Sequence, residues 1–254
     1  MGTLSGRVVI VTGAARGIGQ AYCHAFGREG ATVVATDVLS CERTVSDVTG
    51  AGGRAVAILT DVTSMQSTET MASTVIESFG HIDILVNNAA LYGGATVGAF
   101  DQIPEPEWDR MMEVNVKGIW QCCKAVVPHM KAQGKGKIIN ISSSTIWAGD
   151  PFVLHYVASK GAVFSLTRAL ARELAGTGIN VNAVTPGHTM TDASKSLLDE
   201  ETHEKYRRQS VKRQIIKRNE EAADVAGTVV FLASDASDFM TGQTLNVDGG
   251  RVHY

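Results

Sequence analysis

The stretch RVVIVTGAARGIG, residues Arg7 to Gly19, joins a β-branched run, Arg7 to Thr12, to a glycine-rich turn and to a helical pattern that continues to Glu29. Strand, loop and helix in that order make a phosphate-binding unit. Gly13, Gly17 and Gly19 permit a tight turn, close approach of the backbone to a pyrophosphate and close helix packing, while the free N–H groups of the helix start attract the anion. The spacing is G-x-x-x-G-x-G, which differs from the usual dinucleotide fingerprint G-x-G-x-x-G. No Lys followed by Ser or Thr closes the loop, so a nucleoside triphosphate loop is excluded. A plain turn would account for the same glycines, and the rest of the chain has to decide.

A second strand is expected over Ala31 to Val38, and it carries Asp37 eighteen residues after Gly19. A carboxylate at that distance accepts hydrogen bonds from the adenosine ribose and repels a 2′-phosphate, which favours NAD over NADP. Arg16 is the counter-signal, since a guanidinium can meet that phosphate; a helix cap would also account for Asp37. Further on, Arg54 to Thr60 reads as a strand ending at Asp61-Val62, and Ser64 and Gly80 bracket a helix. Ile82 to Asn87 is an apolar run of the kind buried on both faces of a parallel sheet, and it stops at Asn87-Asn88-Ala89-Ala90. Pro104 and Pro106 precede one long helix, Glu107 to Lys131, with Asn115 unfavourably in its interior. Strand Lys137 to Ser142 delivers Ser143 at its C-terminal end, where open α/β sheets place ligands.

Tyr156 and Lys160 lie four apart at the start of another helical pattern, so they leave one face a turn apart. A phenol has an ordinary pKa near 10, and a neighbouring ammonium favours its ionised form, which makes Tyr156 a candidate general acid/base. Ile179 to Thr185 is a strand running into Pro186-Gly187. Thr189 to Arg218 is polar without a strand pattern and is expected to hold a helix and to cover the site as a lid. Helix Glu220 to Ala233 and strand Gln243 to Val247 finish the chain. Strands and helices alternate without a linker or repeat. The expected fold is therefore one α/β domain, residues 1–254: a Rossmann-type doubly wound parallel sheet of about seven strands with helices on both faces.

Composition narrows the function. The formal net charge is −3 over 254 residues with a pI near 6.2, which argues against nucleic acid or an anionic membrane as partner. Cys23, Cys41, Cys122 and Cys123 lack both CxxC spacing and histidine company, so neither a metal site nor a disulfide framework is indicated. No leader pattern or long apolar run is present, and a cytoplasmic location is expected.

In this order TGAARGIG, Asp61-Val62, NNAA, Asn115, Ser143, YVASK and Pro186-Gly187 resemble the short-chain dehydrogenase/reductase family over nearly the whole chain. Ser143 stands thirteen residues before Tyr156, as in many members. One departure is Ala90, where the family usually has glycine; its methyl narrows the space near the cofactor ribose. The resemblance implies hydride transfer between NAD and a secondary alcohol or ketone, with Tyr156 exchanging the alcohol proton and Ser143 holding the substrate oxygen. It gives Lys160 the nicotinamide ribose and Asn115 the support of a proton relay. It places the cofactor against Gly13, Arg16, Gly17, Ile18, Gly19 and Asp37 at one end. Asp61, Val62, Asn88, Pro186, Gly187, Thr189 and Thr191 follow along the cleft, together with Tyr156 and Lys160. No metal is required. A homodimer or homotetramer is implied, formed through the helices that carry Asn115 and Tyr156.

The substrate pocket is expected from Ala90, Leu91, Tyr92, Ser143, Thr145, Ile146, Trp147, Phe152, His188, Thr189 and Met190. That lining suits a hydrophobic, aromatic or cyclic small molecule, although Trp147 and Phe152 would equally serve to pack their own loop. Segment Lys205 to Arg218, with seven lysines and arginines, suits an acyl thioester on a carrier and opens 3-oxoacyl-[acyl-carrier-protein] reductase as the alternative. Glu201 with Lys205 and Glu204 with Arg208 fit a solvated helix equally well. A cofactor-sensing protein without turnover is the third reading, opposed by the complete Ser143, Tyr156, Lys160 and Asn115 set.

Overall fold

In a computed structural model, which describes residues 2–191 and 200–253, seven strands form one parallel sheet. The strands are β1 Val8–Thr12, β2 Thr32–Asp37, β3 Arg54–Leu59, β4 Ile84–Asn87, β5 Gly136–Ile141, β6 Ile179–Pro186 and β7 Thr244–Val247. Their spatial order is β3-β2-β1-β4-β5-β6-β7. Val9 pairs in parallel register with Val33 on one side and with Ile84 on the other. From β1 the chain winds one way to β2 and β3, then returns and winds the other way from β4. That reversal opens a crevice above the C-terminal ends of β1 and β4, where such sheets bind ligands.

Alternation along β1 divides the core into two layers. Val9 and Val11 face α1 (Gly17–Arg28) and α9 (Ala222–Ala233), in a layer with Tyr22, Phe26, Val225 and Val229. Val8 and Ile10 face the opposite layer, with Met71 of α3 (Met65–Phe79), Val126 of α5 (Gly118–Gln133) and Val163 of α7 (Leu154–Glu173). The end signals of α3 act as read: the Ser64 hydroxyl accepts from the Ser67 N–H, and Gly80 adopts the left-handed conformation at its C-cap. Among the described residues the remaining α-helices are α2 Glu42–Gly50, α4 Glu105–Met112, the single turn α6 Thr145–Ala148, α8 Glu200–Arg213 and α9 Ala222–Ala233.

The one long helix expected from Glu107 to Lys131 is corrected. A π-helical turn, Glu113–Lys117, separates α4 from α5. Its cause is Asn115, fully buried and at the centre of the turn. The Asn115 Oδ1 accepts from the Leu91 N–H at 2.7 Å, and its Nδ2 donates to the Leu91 carbonyl at 3.1 Å and to the Ser159 Oγ at 3.0 Å. An asparagine with three such partners compensates for a local defect in the helix ladder. The region expected to lack strand pairing also differs in one respect, because Thr189 and Glu220 form an isolated parallel bridge. Part of the expected lid, residues 192–199, lies outside the described residues.

Candidate functional site

A single cleft runs along the C-terminal ends of the strands, from Asp37 and Leu39 at one end to Ser143, Tyr156 and His188 at the other. At the first end, Gly13 has φ 66°, and a Cβ there would stand 2.7 Å from the Ala89 Cα. The turn therefore requires glycine. Asn88 fixes it from the β4 side, donating from Nδ2 to the carbonyls of Thr12 and Gly13 at 2.9 and 3.0 Å. The N–H groups of Asn88 and Ala89 both donate to the Thr12 hydroxyl. The first turn of α1, with Gly17, Ile18 and Gly19 on the cleft, directs its N–H groups into this cradle. The shape and donor chemistry fit a pyrophosphate.

Asp37 sits on the cleft at the end of β2. Its Oδ2 accepts from the Ala15 N–H and its Oδ1 from the Leu39 N–H, both at 3.1 Å. The carboxylate is thus fixed to the glycine turn at the end of β2. Arg16, exposed at the start of α1, also borders the cleft. Next along the wall, Asp61 accepts from both the hydroxyl and the N–H of Thr63, which hold its carboxyl below the usual carboxylate range. Val62 packs beside it, and its carbonyl accepts from Gln121. Ala90, the departure from the family pattern, presents its methyl to the cleft.

At the other end Ser143, 6% exposed, follows β5 and opens onto the cleft, and its Oγ accepts from the Thr145 N–H at 3.3 Å. Tyr156 and Lys160 face the same space from the first two turns of α7. The Lys160 Nζ lies 5.7 Å from the Tyr156 ring centroid and donates to the Ile141 carbonyl at 2.8 Å. Burial pushes the Lys160 ammonium down to about 8, because a cation in apolar surroundings loses hydration. It stays mostly charged at pH 7. The Tyr92 ring lies 4.7 Å, centroid to centroid, from that of Tyr156. Asn115 does not border the cleft; it reaches α7 through Ser159, whose hydroxyl donates to the Tyr156 carbonyl at 2.7 Å. It therefore ties the Leu91 wall to the helix that carries Tyr156 and Lys160.

The residues expected for the substrate wall are brought to the cleft only in part. Leu91, Tyr92, Thr145, His188 and Thr189 border the cleft, as do Pro186, Gly187 and Thr191 along the same turn. Ile146, Trp147, Phe152 and Met190 do not. Trp147 packs edge-on against Phe164 at 5.0 Å. Phe152, 59% exposed, has φ 69° and uses its carbonyl to hold the Gly98 N–H. Aromatic residues in a loop after a strand give no indication of which side of the loop they take, and here α7 claims the indole. In their place stand Val114 and Arg251, neither recognisable from a motif. Arg251 reaches the cleft from the C-terminal tail and pairs with Asp150; both side chains are buried. His188 is held down to about 4 by burial, then by His203 and Arg251, and is neutral at pH 7.

Among the described residues no cluster of His, Cys, Asp or Glu has the makings of a metal site, and no helix is long and apolar enough to cross a membrane. All four cysteines are buried thiols.

The family profile described as enoyl-(acyl carrier protein) reductase matches residues 13–251. A 3-oxoacyl-[acyl-carrier-protein] reductase, FabG, from Thermotoga maritima is 37% identical over 251 residues, covering 98% of this chain and 99% of that protein. A short-chain type dehydrogenase/reductase from Mycobacterium marinum superimposes with TM-score 0.91 at 32% identity, covering 99% of this chain and 97% of the other. A chain from Beutenbergia cavernae, named as a candidate NAD(P)-dependent gluconate 5-dehydrogenase and carrying NADP at low occupancy, superimposes with TM-score 0.90 at 33% identity, covering 98% of each.

Proposed function

The chain belongs to the short-chain dehydrogenase/reductase family and is an oxidoreductase, and from that premise we propose that it moves a hydride between NAD(H) and a secondary alcohol or ketone. The observation that carries the reading is the convergence of Ser143, Tyr156 and Lys160 on one cleft whose far end is the glycine turn and the Asp37 carboxylate. When bound, the nicotinamide supplies the hydride chemistry. The protein supplies orientation and the proton. Ser143 holds the substrate oxygen, the Tyr156 phenol gives or takes its proton, and the Lys160 ammonium stabilises the phenolate and binds the ribose hydroxyls. Asn115 keeps α7 in register with the Leu91 wall. Tyr92 offers a hydrophobic substrate an aromatic face, while Thr145, His188 and Arg251 add polar groups to the lining.

The NAD assignment rests on Asp37, whose fixed carboxylate repels a 2′-phosphate. It stands against the NADP bound by the Beutenbergia cavernae structure. Steady-state kinetics with both cofactors are expected to show at least roughly tenfold higher kcat/KM with NAD(H), about 1.4 kcal/mol of discrimination. Asp37→Ser should remove that preference; equal turnover with NADP(H) by the unaltered protein would overturn the argument.

A second reading is 3-oxoacyl-[acyl-carrier-protein] reductase, favoured by the Thermotoga maritima relative and by the basic segment Lys205 to Arg218. In α8, Glu204 engages Arg207 at 2.5 Å and Arg208 at 2.7 Å, which absorbs part of that charge within the helix. An acetoacetyl thioester reduced faster than simple aryl ketones would establish this alternative. Family habit also implies a closed homodimer or homotetramer; light scattering at micromolar concentration should give a multiple of the 26.9 kDa chain mass.

A further inference from the structure

Glu220 lies outside every motif named above, yet it is one of the most buried carboxylates among the described residues, 4% exposed. It sits just before α9 and reaches across to the turn that follows β6. Its Oε1 accepts from the Thr189 hydroxyl at 2.6 Å and its Oε2 from the Gly187 N–H at 3.1 Å. Its main-chain carbonyl accepts from the Met190 N–H at 3.0 Å. Gly187 has no room for a side chain, because a Cβ there would stand 2.6 Å from the Glu220 Oε2 and 2.9 Å from the Asp248 Cβ. The turn gripped in this way is the one that brings Gly187, His188 and Thr189 to the cleft.

We propose that Glu220 is a positioning residue whose carboxylate holds the Gly187–Thr189 turn against the cofactor cleft, and that its protonation loosens this grip and makes dinucleotide affinity depend on pH. The inference rests on the reading of the cleft as a nicotinamide dinucleotide site. A carboxylate accepts from two donors at once, whereas a carboxylic acid must itself donate. The Gly187 N–H keeps a second acceptor, the Val247 carbonyl at 2.9 Å. With the proton on Oε2 the acid displaces that N–H; with the proton on Oε1, Thr189 reverses, its hydroxyl turning from donor to acceptor toward Glu220 and its own proton pointing elsewhere, which alters what the cleft offers a ligand.

The surroundings place this change near neutrality. Burial pushes the Glu220 carboxyl up to about 7, the Thr189 and Gly187 donors oppose the shift, and the Asp248 and Asp224 carboxylates add to it. Asp224 is itself paired with Arg218 at 2.6 Å, and Asp248 is occupied by the N–H groups of Gly250, Arg251 and Val252. From α1, the buried Tyr22 phenol is raised by desolvation and further by the Glu220 charge.

The test is titration of NADH fluorescence from pH 6 to pH 7.5 on wild type, Glu220→Gln, Glu220→Asp and Thr189→Val, each checked for folding by circular dichroism. Over that window Lys160 remains largely protonated and His188 neutral, so neither produces the slope. Wild type is expected to lose roughly fivefold in affinity toward pH 6, the effect of one net hydrogen bond. Glu220→Asp should keep the slope, while Glu220→Gln and Thr189→Val should be flat. A second readout is stability. A carboxyl raised in the folded state contributes stability below its unfolded pKa that is lost as pH rises through about 7, so Glu220→Gln should gain in melting temperature relative to wild type between pH 5 and pH 8. A Glu220→Gln protein with the wild-type slope, or with the same loss at every pH, overturns the proposal; if Glu220→Gln does not fold, Thr189→Val decides by the same criterion. Wild type that binds neither NADH nor NADPH at any pH overturns the dinucleotide reading itself, whereas binding without a slope overturns this inference alone.

Discussion

Tyr156→Phe is expected to lower the rate of alcohol oxidation at least roughly 100-fold, the lower end for general acid/base catalysis, while leaving NAD binding nearly unchanged. The substitution removes one oxygen and keeps the ring, so the 4.7 Å contact with Tyr92 and the packing of the first turn of α7 survive. What disappears is the only proposed proton acceptor on the cleft side of α7. In the unaltered protein, oxidation should rise with pH as the phenol ionises, through an apparent pKa below the ordinary value of about 10. In Tyr156→Phe that limb of the profile should be absent. Steady-state rates across pH, with NAD affinity measured separately, distinguish this loss from a loss of binding. A folded Tyr156→Phe protein that binds NAD and oxidises alcohol at near wild-type rate would sink the proposed mechanism.

The succession of strands and helices along the chain was legible because each element depends on local signals that tertiary packing reinforces. β-branched runs bounded by glycine gave β1 and β2, and Ser64 with Gly80 bounded α3. The π turn at Asn115 was not legible. An asparagine within a helical pattern marks a defect, but its partners, Leu91 and Ser159, lie 24 and 44 residues away. The sequence left the roles of Trp147 and Phe152 open for a related reason. Residues between a strand and a helix have no period that says which way a side chain turns, so pocket lining and local packing were equally open for Trp147, whose indole packs edge-on against Phe164. Glu220 and Arg251 escaped altogether, since a buried charge inside an acidic pair or a tail looks like surface until its partners are known. Among these, Thr189 and Asp150 come from turns far along the chain.

Lys160→Met should lower alcohol oxidation more than Tyr156→Phe does, by at least roughly 1,000-fold at pH 7, because it removes two functions together. The phenolate loses its neighbouring cation, and the ribose loses a donor, so both the rate and the affinity for NAD should fall. The pH profile of the residual rate should move to higher pH, since the phenol then ionises without electrostatic help. Stability should move in the opposite sense. Burial lowers the Lys160 ammonium from its ordinary value of 10.5 to about 8, which corresponds to a cost of about 3 kcal/mol to the folded protein when the group is charged. That cost is present in full below pH 8 and shrinks as pH rises toward 10.5, where the unfolded chain also loses the proton. Methionine is never charged, so Lys160→Met should gain most over wild type at pH 7 and lose that advantage progressively above pH 8. The gain is offset in part by the Ile141 carbonyl, which forfeits its 2.8 Å donor. Denaturant melts at pH 7 and pH 9.5 measure the difference. A variant that is less stable than wild type by the same amount at both values would mean that Lys160 is not a strained buried cation, and that its role in the site must be sought in packing alone.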